Sequence, residues 1–330
     1  MAEFLTFDTD LTADANAIRA KGGTSAQLIY PSGFVSAIQA IQTGITPKLV
    51  VTTTPGAAIT ATPAEGFKVV KGTAGADGMC TLELPKAGTW HVTAMANSVS
   101  NSQHIVIGTQ NMLLPLYHDT FANNTWEEII TVCRTGIAPD SWAVGDSKTM
   151  NIGGTAYQVD IIGKNHDEYA DGSGTAPLTF QLHDCYSEAK QMYSSNLSGL
   201  GWKNTDMRLT YLPAILALMP AEVQNGIHAV NKKTSEGGNS TTIETVSDTL
   251  FLLSEVEIFG TASASVAGEG SQYDYYKAGN PKIKKREGVD EFWWERSSAS
   301  GGMFCRVRAN GQAGASNASS SLGVSFAFCF

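Results

Sequence analysis

The sequence predicts a three-part chain: a short helical segment at 1–46, a small all-β sandwich at 47–108, and a larger α+β domain at 109–330. Three observations predict it. The 330 residues exceed one typical domain. The spacing of apolar residues changes from helical to strand-like near Pro47 and becomes mixed after Gln110. The closing stretch, Phe292 to Phe330, opens on Trp293 and Trp294 and ends on an alternation that places Val324, Phe326, Phe328 and Phe330 on one face. Between those aromatic ends, 16 of the 25 residues from Ser297 to Ser321 are Ser, Ala or Gly. That composition is a linker's, but the anchors at both ends make it short strands with small polar loops.

The N-terminal segment carries two amphipathic patterns. Leu11, Ala15 and Ile18 fall at helical spacing before Gly22-Gly23; Ser32 can cap a second helix whose stripe is Phe34, Ile38 and Ile41. Two such short helices cannot bury both stripes alone, so they are expected to pack on something else, and self-association is one way to do it. From Pro47 onward, Leu49–Thr53, Phe67–Val70, Met79–Leu84, Thr89–Met95 and His104–Ile107 are β-prone runs divided by Pro55-Gly56, Gly75–Gly78 and Ala87-Gly88. About seven short strands in this space form a sandwich.

In the third part, Thr125 with Glu128 three residues on is a capping box that starts a helix at Trp126. Ile152-Gly153-Gly154-Thr155 is a tight hairpin. Ser187–Leu197 and Asp206–Ala217 are expected to be helices, and Leu250–Ile258 a buried strand. Met303, Cys305 and Val307 alternate with Phe304, Arg306 and Arg308 before Asn310-Gly311, a second hairpin turn.

Composition narrows the function. A net charge of −9 argues against a nucleic-acid partner, because phosphate neutralisation needs a basic face. The exception, Lys282 with Lys284, Lys285 and Arg286, reads as a solvated turn opposite Glu287, Asp290 and Glu291. No apolar run approaches the roughly 20 residues of a membrane span, and the N-terminus lacks a signal-peptide layout, so synthesis in the cytosol and no membrane insertion are expected. Cys80, Cys133, Cys185, Cys305 and Cys329 are odd in number and widely spaced; free buried thiols are expected, with Cys305 and Cys329 the pair that would bridge in an oxidising exterior.

Signs of catalysis are weak. Asn165–Gly172 with His183 and Asp184 gathers carboxylates and histidines, yet Asp167, Glu168 and Asp171 lack metal-loop spacing, so structural hydrogen bonding is the expected role. Cys305 has no histidine in its segment to activate it, and a small core filler is the expected role. No phosphate loop or nucleophile elbow is present. We expect no enzyme activity, no cofactor and no metal.

The residues Trp293-Trp294-Glu295-Arg296-Ser297, then Phe304-Cys305-x-Val307, Gly311, Ala318, Gly323 and Phe328, resemble the C-terminal signature of phage and prophage variable proteins, which diversity-generating retroelements rewrite by adenine-directed mutagenesis. The resemblance extends from Trp126 onward and includes Leu250–Gly260, and it implies a C-type-lectin-type fold for the α+β domain. It further implies a framework of Trp293, Trp294, Arg296, Phe304, Cys305, Val307, Gly323 and Phe328. Within a variable region of about 295–326, the ligand-binding surface would consist of Ser298, Ala299, Ser300, Gly301, Gly302, Met303, Arg306, Arg308, Ala309, Gln312, Ala315, Ser316, Ser319, Ser320, Ser321 and Ser325. The 47–108 unit resembles immunoglobulin-like (Ig-like) or carboxypeptidase-regulatory-like modules, and the N-terminus resembles that of prophage tail proteins. The implied function is receptor binding from the tail of a virion. The implied partners are a host-cell surface protein or polysaccharide and other tail proteins, in a homo-oligomer, first of all a trimer. The alternative is a static tail component or a glycan-active tail enzyme. Arg306, Arg308 and Met303, with Trp294 at the rim, would make the contacts, which favours an acidic or polar ligand.

Overall fold

The computed structural model describes residues 15–17, 47–64, 68–85, 87–107, 110–196, 198–238 and 240–330. Of the expected N-terminal helices only 15–17 is described, and it is helical; the rest of that expectation, including the self-associating stripe, lies outside the described residues. The chain divides into two compact units after Leu116.

In the first unit, β1 (Lys48–Thr52), β4 (Met79–Glu83) and β7 (Gln110–Leu113) form one sheet in the order β4-β1-β7. The other sheet, in the order β3-β2-β5-β6, contains β2 (Ala58–Pro63), β3 (Val70–Thr73), β5 (Gly88–Ala96) and β6 (Val99–Ile107). Period-two alternation sends Leu49, Val51, Ile59, Ala61, Leu82, Trp90, Val92 and Ala94 into one core. Gly72 is needed where β3 meets β4: a Cβ there would lie 2.4 Å from Cys80 Sγ. Two findings differ from the sequence reading. β2 lies in a stretch to which no strand was assigned, and β7 pairs in parallel with β1, so the boundary expected at 108/109 falls at Leu116.

The second unit is β-rich with few, short helices. Its largest sheet has the order β18-β10-β9-β8, from β8 (Ser147–Ile152), β9 (Thr155–Lys164), β10 (Leu178–Leu182) and β18 (Ala327–Cys329). All of β10 and β18 is buried, so this pair is the centre of the core rather than a half-solvated face. For the same reason the closing stretch is covered on both sides: every residue from Gly323 to Phe330 is buried, not only the aromatic set on one face. Phe180 stacks on Phe328 at 5.3 Å and packs against Trp126, Phe121 and Phe330. The helix α1 (Trp126–Cys133) starts at the Thr125–Glu128 capping box, and the hairpin turns at Gly153-Gly154, both at positive φ, as the sequence indicates.

Three expected elements differ. No helix forms over 187–196, because the backbone pairs elsewhere: Tyr186 N donates to Val324 O, Lys190 N to Leu322 O and Met192 N to Ala318 O. In 206–217 a π-helical turn, Met207–Tyr211, precedes α2 (Leu212–Leu216); Pro213 has no N–H to continue the α-ladder. The helix α3 (Ala221–Gly226) then leads to the hairpin of β11 (Val230–Ser235) and β12 (Ile243–Asp248). The expected strand at 250–258 is extended only at its start, where Phe251 bridges Ala327; from Glu255 it is the helix α4 (Glu255–Phe259). Its start signal was present in the sequence: Ser254 and Glu257 form a capping box, and Gly260 ends the helix at φ 78°.

Candidate functional site

After α5 (Asp274–Lys277) and the hairpin of β13 (Lys284–Arg286) and β14 (Val289–Glu291), the chain enters a three-stranded antiparallel sheet, β15-β16-β17. Its strands are β15 (Trp293–Ser298), β16 (Met303–Val307) and β17 (Ala313–Asn317). Adjacent tryptophans on a strand point to opposite sides, so burying both requires cover on both sides. Both are fully buried, and their indole N–H groups donate to Lys282 O at 2.9 Å and Lys190 O at 2.8 Å. Trp294 is therefore a core residue and not the rim contact expected. Gly323 completes this packing: a Cβ would lie 2.6 Å from Cys185 Sγ and 3.1 Å from Phe292 O. All eight framework positions are buried.

Arg296 is wholly buried, which is tolerable only with full hydrogen bonding. Its guanidinium donates to both carboxylate oxygens of Glu257 and to the carbonyls of Leu252, Lys233 and Glu269. Glu257 in turn pairs with the buried Lys232 at 2.8 Å, and Lys232 with Asp167 at 2.6 Å. Thr179 and Tyr273 hydroxyls also donate to Asp167. Burial opposes the charge on Asp167, but the Lys232 ammonium outweighs it and holds this carboxyl at about 2. Glu257 is likewise held below the usual range, burial being overcome by Arg296 and Lys232. The Asp167 region thus supplies a buried ionic chain beneath the sheet, a structural role as expected. Three members of the chain, Asp167, Lys232 and Glu257, line a cleft of about 460 Å³ together with His166, whose ring stacks on Tyr273, and with Gly268 and Gly270.

A second acidic group lies on the other side of Arg296. Glu255 accepts from Ser263, Ala264 and Ser265, and Ser297 Oγ donates to Glu269. Glu295, fully buried, has no hydrogen-bond partner for either carboxylate oxygen. Burial, and then the charges of Glu255 and Glu269, push its carboxyl well above the usual range. Cys305 faces the same group, and burial with these carboxylates keeps its thiol protonated. All five cysteines are free and buried. Among the described residues no set of three or more His, Cys, Asp or Glu side chains is placed to hold a metal ion.

Of the sixteen positions expected on the surface, three are not there. Ser298 and Ala299 are 3% exposed and Ser325 0%, because β15 bulges inward after Trp294 and Ser325 donates to Leu182 O beneath β10. The other thirteen are exposed or half-buried and lie together on β16, β17 and their turns. Met303 stands opposite Asn317 and Arg306 opposite Gly314. The 308–312 turn is closed by Arg308 N to Gln312 O and Gly311 N to Arg308 O, each 2.7 Å. Asn196 joins this surface by accepting from Ser319 Oγ at 2.7 Å, a neighbour no local pattern in the sequence announces. The basic run also divides. Lys285 and Arg286 pair with Asp290 and Glu291 as expected, whereas Lys284 is buried, donates to Leu182 O and His183 O, and is held at about 8 by burial.

Residues 179–330 match the family described as a domain of unknown function, DUF6273. No curated protein and no solved structure matches the chain. The matched segment begins at Thr179, inside β10, and includes the whole β15–β17 sheet; β9, on which β10 pairs, lies before it.

Proposed function

We propose that the chain is a receptor-binding protein of a phage tail, and that a retroelement diversifies the surface between Ser300 and Ser321. The larger unit is on this reading a C-type-lectin-type domain, the smaller one an Ig-like spacer, and the segment at 1–46 a trimerising attachment element. One observation carries the reading: in and around the β15–β17 sheet, the residues separate into a buried framework and thirteen accessible positions rich in Ser, Ala and Gly. Side chains at these positions can change without touching the core, except at Gly301 and Gly302, which sit at φ 68° and 81° and where a Cβ on Gly302 would lie 2.9 Å from Asn196 O; a rigid support also spares a binding surface the cost of ordering. The buried ionic chain supports the same reading, because it fixes β15 through Arg296 independently of what the loops display. The protein acts by binding and not by catalysis.

The test is the genomic locus. A neighbouring reverse-transcriptase gene with a near-copy of the segment, differing at adenines, is expected; a locus without such a template overturns the diversification and leaves a static tail component.

A further inference from the structure

We propose that Arg306 and Arg308 form an anion site that takes the carboxylates of an acidic polysaccharide; this deepens, and rests on, the ligand-display reading above. The two guanidiniums converge over Gly314, where a Cβ would lie 2.9 Å from Arg308 Nε and 3.7 Å from Arg306 Cζ. Any larger residue at 314 would displace them. Arg306 is held in place: its Nε donates to Ala315 O at 3.2 Å and its guanidinium lies 4.2 Å from the centre of the Phe292 ring. Its buried Nη1 has no acceptor, so the fork keeps an unmet donor. Among the described residues neither arginine makes an ion pair, although the chain carries a net charge of −9. The acid whose charge acts on Arg306, Glu295, is fully buried, and burial pushes its carboxyl well above the usual range. Two like charges packed together without a counterion are stabilised by an anion between them.

The chemistry around them selects among anions. The fully exposed positions from Ser300 to Ser321 are Ser, Gly, Arg, Asn or Gln; Met303 is half-buried, and the one large exposed ring beside them, Phe292, lies against Arg306. A protein partner would draw its affinity from buried aromatic and aliphatic anchors, of which this face offers few. A hydrated polymer of hydroxyls and carboxylates matches it, and the planar guanidinium fork fits a carboxylate in two hydrogen bonds.

The test is calorimetric titration of the full chain with polygalacturonate, dextran sulfate, polyglutamate and neutral dextran, at low and physiological salt. Arg308 is exposed, so Arg308→Glu keeps the fold; the double variant Arg306→Ala/Arg308→Ala and the charge-preserving Arg306→Lys/Arg308→Lys accompany it. Polygalacturonate should bind best, more weakly as salt rises, with at least about a tenfold loss in Arg308→Glu and in the double alanine variant and a smaller loss in the lysine variant. Equal affinity of wild type and Arg308→Glu, preference for polyglutamate or dextran sulfate, or no bound polymer overturns the proposal. Loss of host-cell attachment by Arg308→Glu without polygalacturonate binding would sink the polysaccharide and leave the display reading standing. Missing template DNA beside intact polygalacturonate binding would do the reverse.

Discussion

At the scale of single residues, the β15–β17 surface depends on buried groups beneath it. Removing one partner from a buried ion pair leaves an uncompensated charge and costs about 3–5 kcal/mol, whereas an exposed substitution usually stays within about 0.5. Arg296→Leu, which strands Glu257 beside Lys232, is therefore expected to cost about 3–5 kcal/mol in urea unfolding, and Ser300→Tyr to leave the midpoint unchanged. Glu295 gives a pH signature. Its folded-state carboxyl sits well above the ordinary 4.5, so above that value the unfolded chain releases a proton the native state retains, and stability falls as pH rises. Asp167 acts at the other limit: held at about 2 against an ordinary 3.8, it loses its contribution as pH falls through that window. Melting temperatures of Glu295→Gln and wild type should converge near pH 4 and separate, with the variant higher, by pH 8; parallel curves would refute the assignment. None of this could be read from the sequence, which shows a glutamate between a tryptophan and an arginine but not that all three lie in the core.

At the scale of elements, what was legible was what local chemistry determines. The Thr125 capping box, the Gly153-Gly154 turn and the β16–β17 hairpin need only a few neighbouring residues. The misread segment 187–196 takes its form from distant partners in 318–324, which supply the hydrogen bonds a helix would otherwise have made, whereas 250–258 pairs with Ala327 only at Phe251 and then turns into a locally bonded helix. The start of α4 was nonetheless written in Ser254 and Glu257, and hydrophobicity alone concealed it. Ser254 also donates to Glu269 O at 2.8 Å, tying the helix start to the acidic group. Ser254→Ala should accordingly cost about 1–2 kcal/mol, the upper part of the usual capping range. A thermal shift no greater than that of an exposed Ser→Ala control such as Ser321→Ala would show that the cap contributes nothing.

At the scale of the whole molecule, the change from helical to strand periodicity and the position of the sandwich were visible in the sequence. The exact boundary was not, because β7 is recruited by parallel pairing with β1 across the whole first unit. The second unit keeps its own core from Phe121 to Phe330, so a fragment beginning at Tyr117 should fold alone. One beginning at Thr179, the span shared with DUF6273, should not, since β10 would lose β9 and Phe180 would lose Trp126 of α1. Chemical-shift dispersion of the two fragments distinguishes these outcomes. Light scattering should find the full chain oligomeric and the Tyr117 fragment monomeric; a monomeric full chain would remove the attachment role of the N-terminus. Finally, every cysteine of the chain is buried and reduced, so the native protein presents no thiol to a maleimide. A single cysteine placed at the exposed Ser321 would take one dye per molecule beside the β15–β17 sheet, and the five silent thiols would react only as the fold opens, making labelling stoichiometry a count of unfolded molecules.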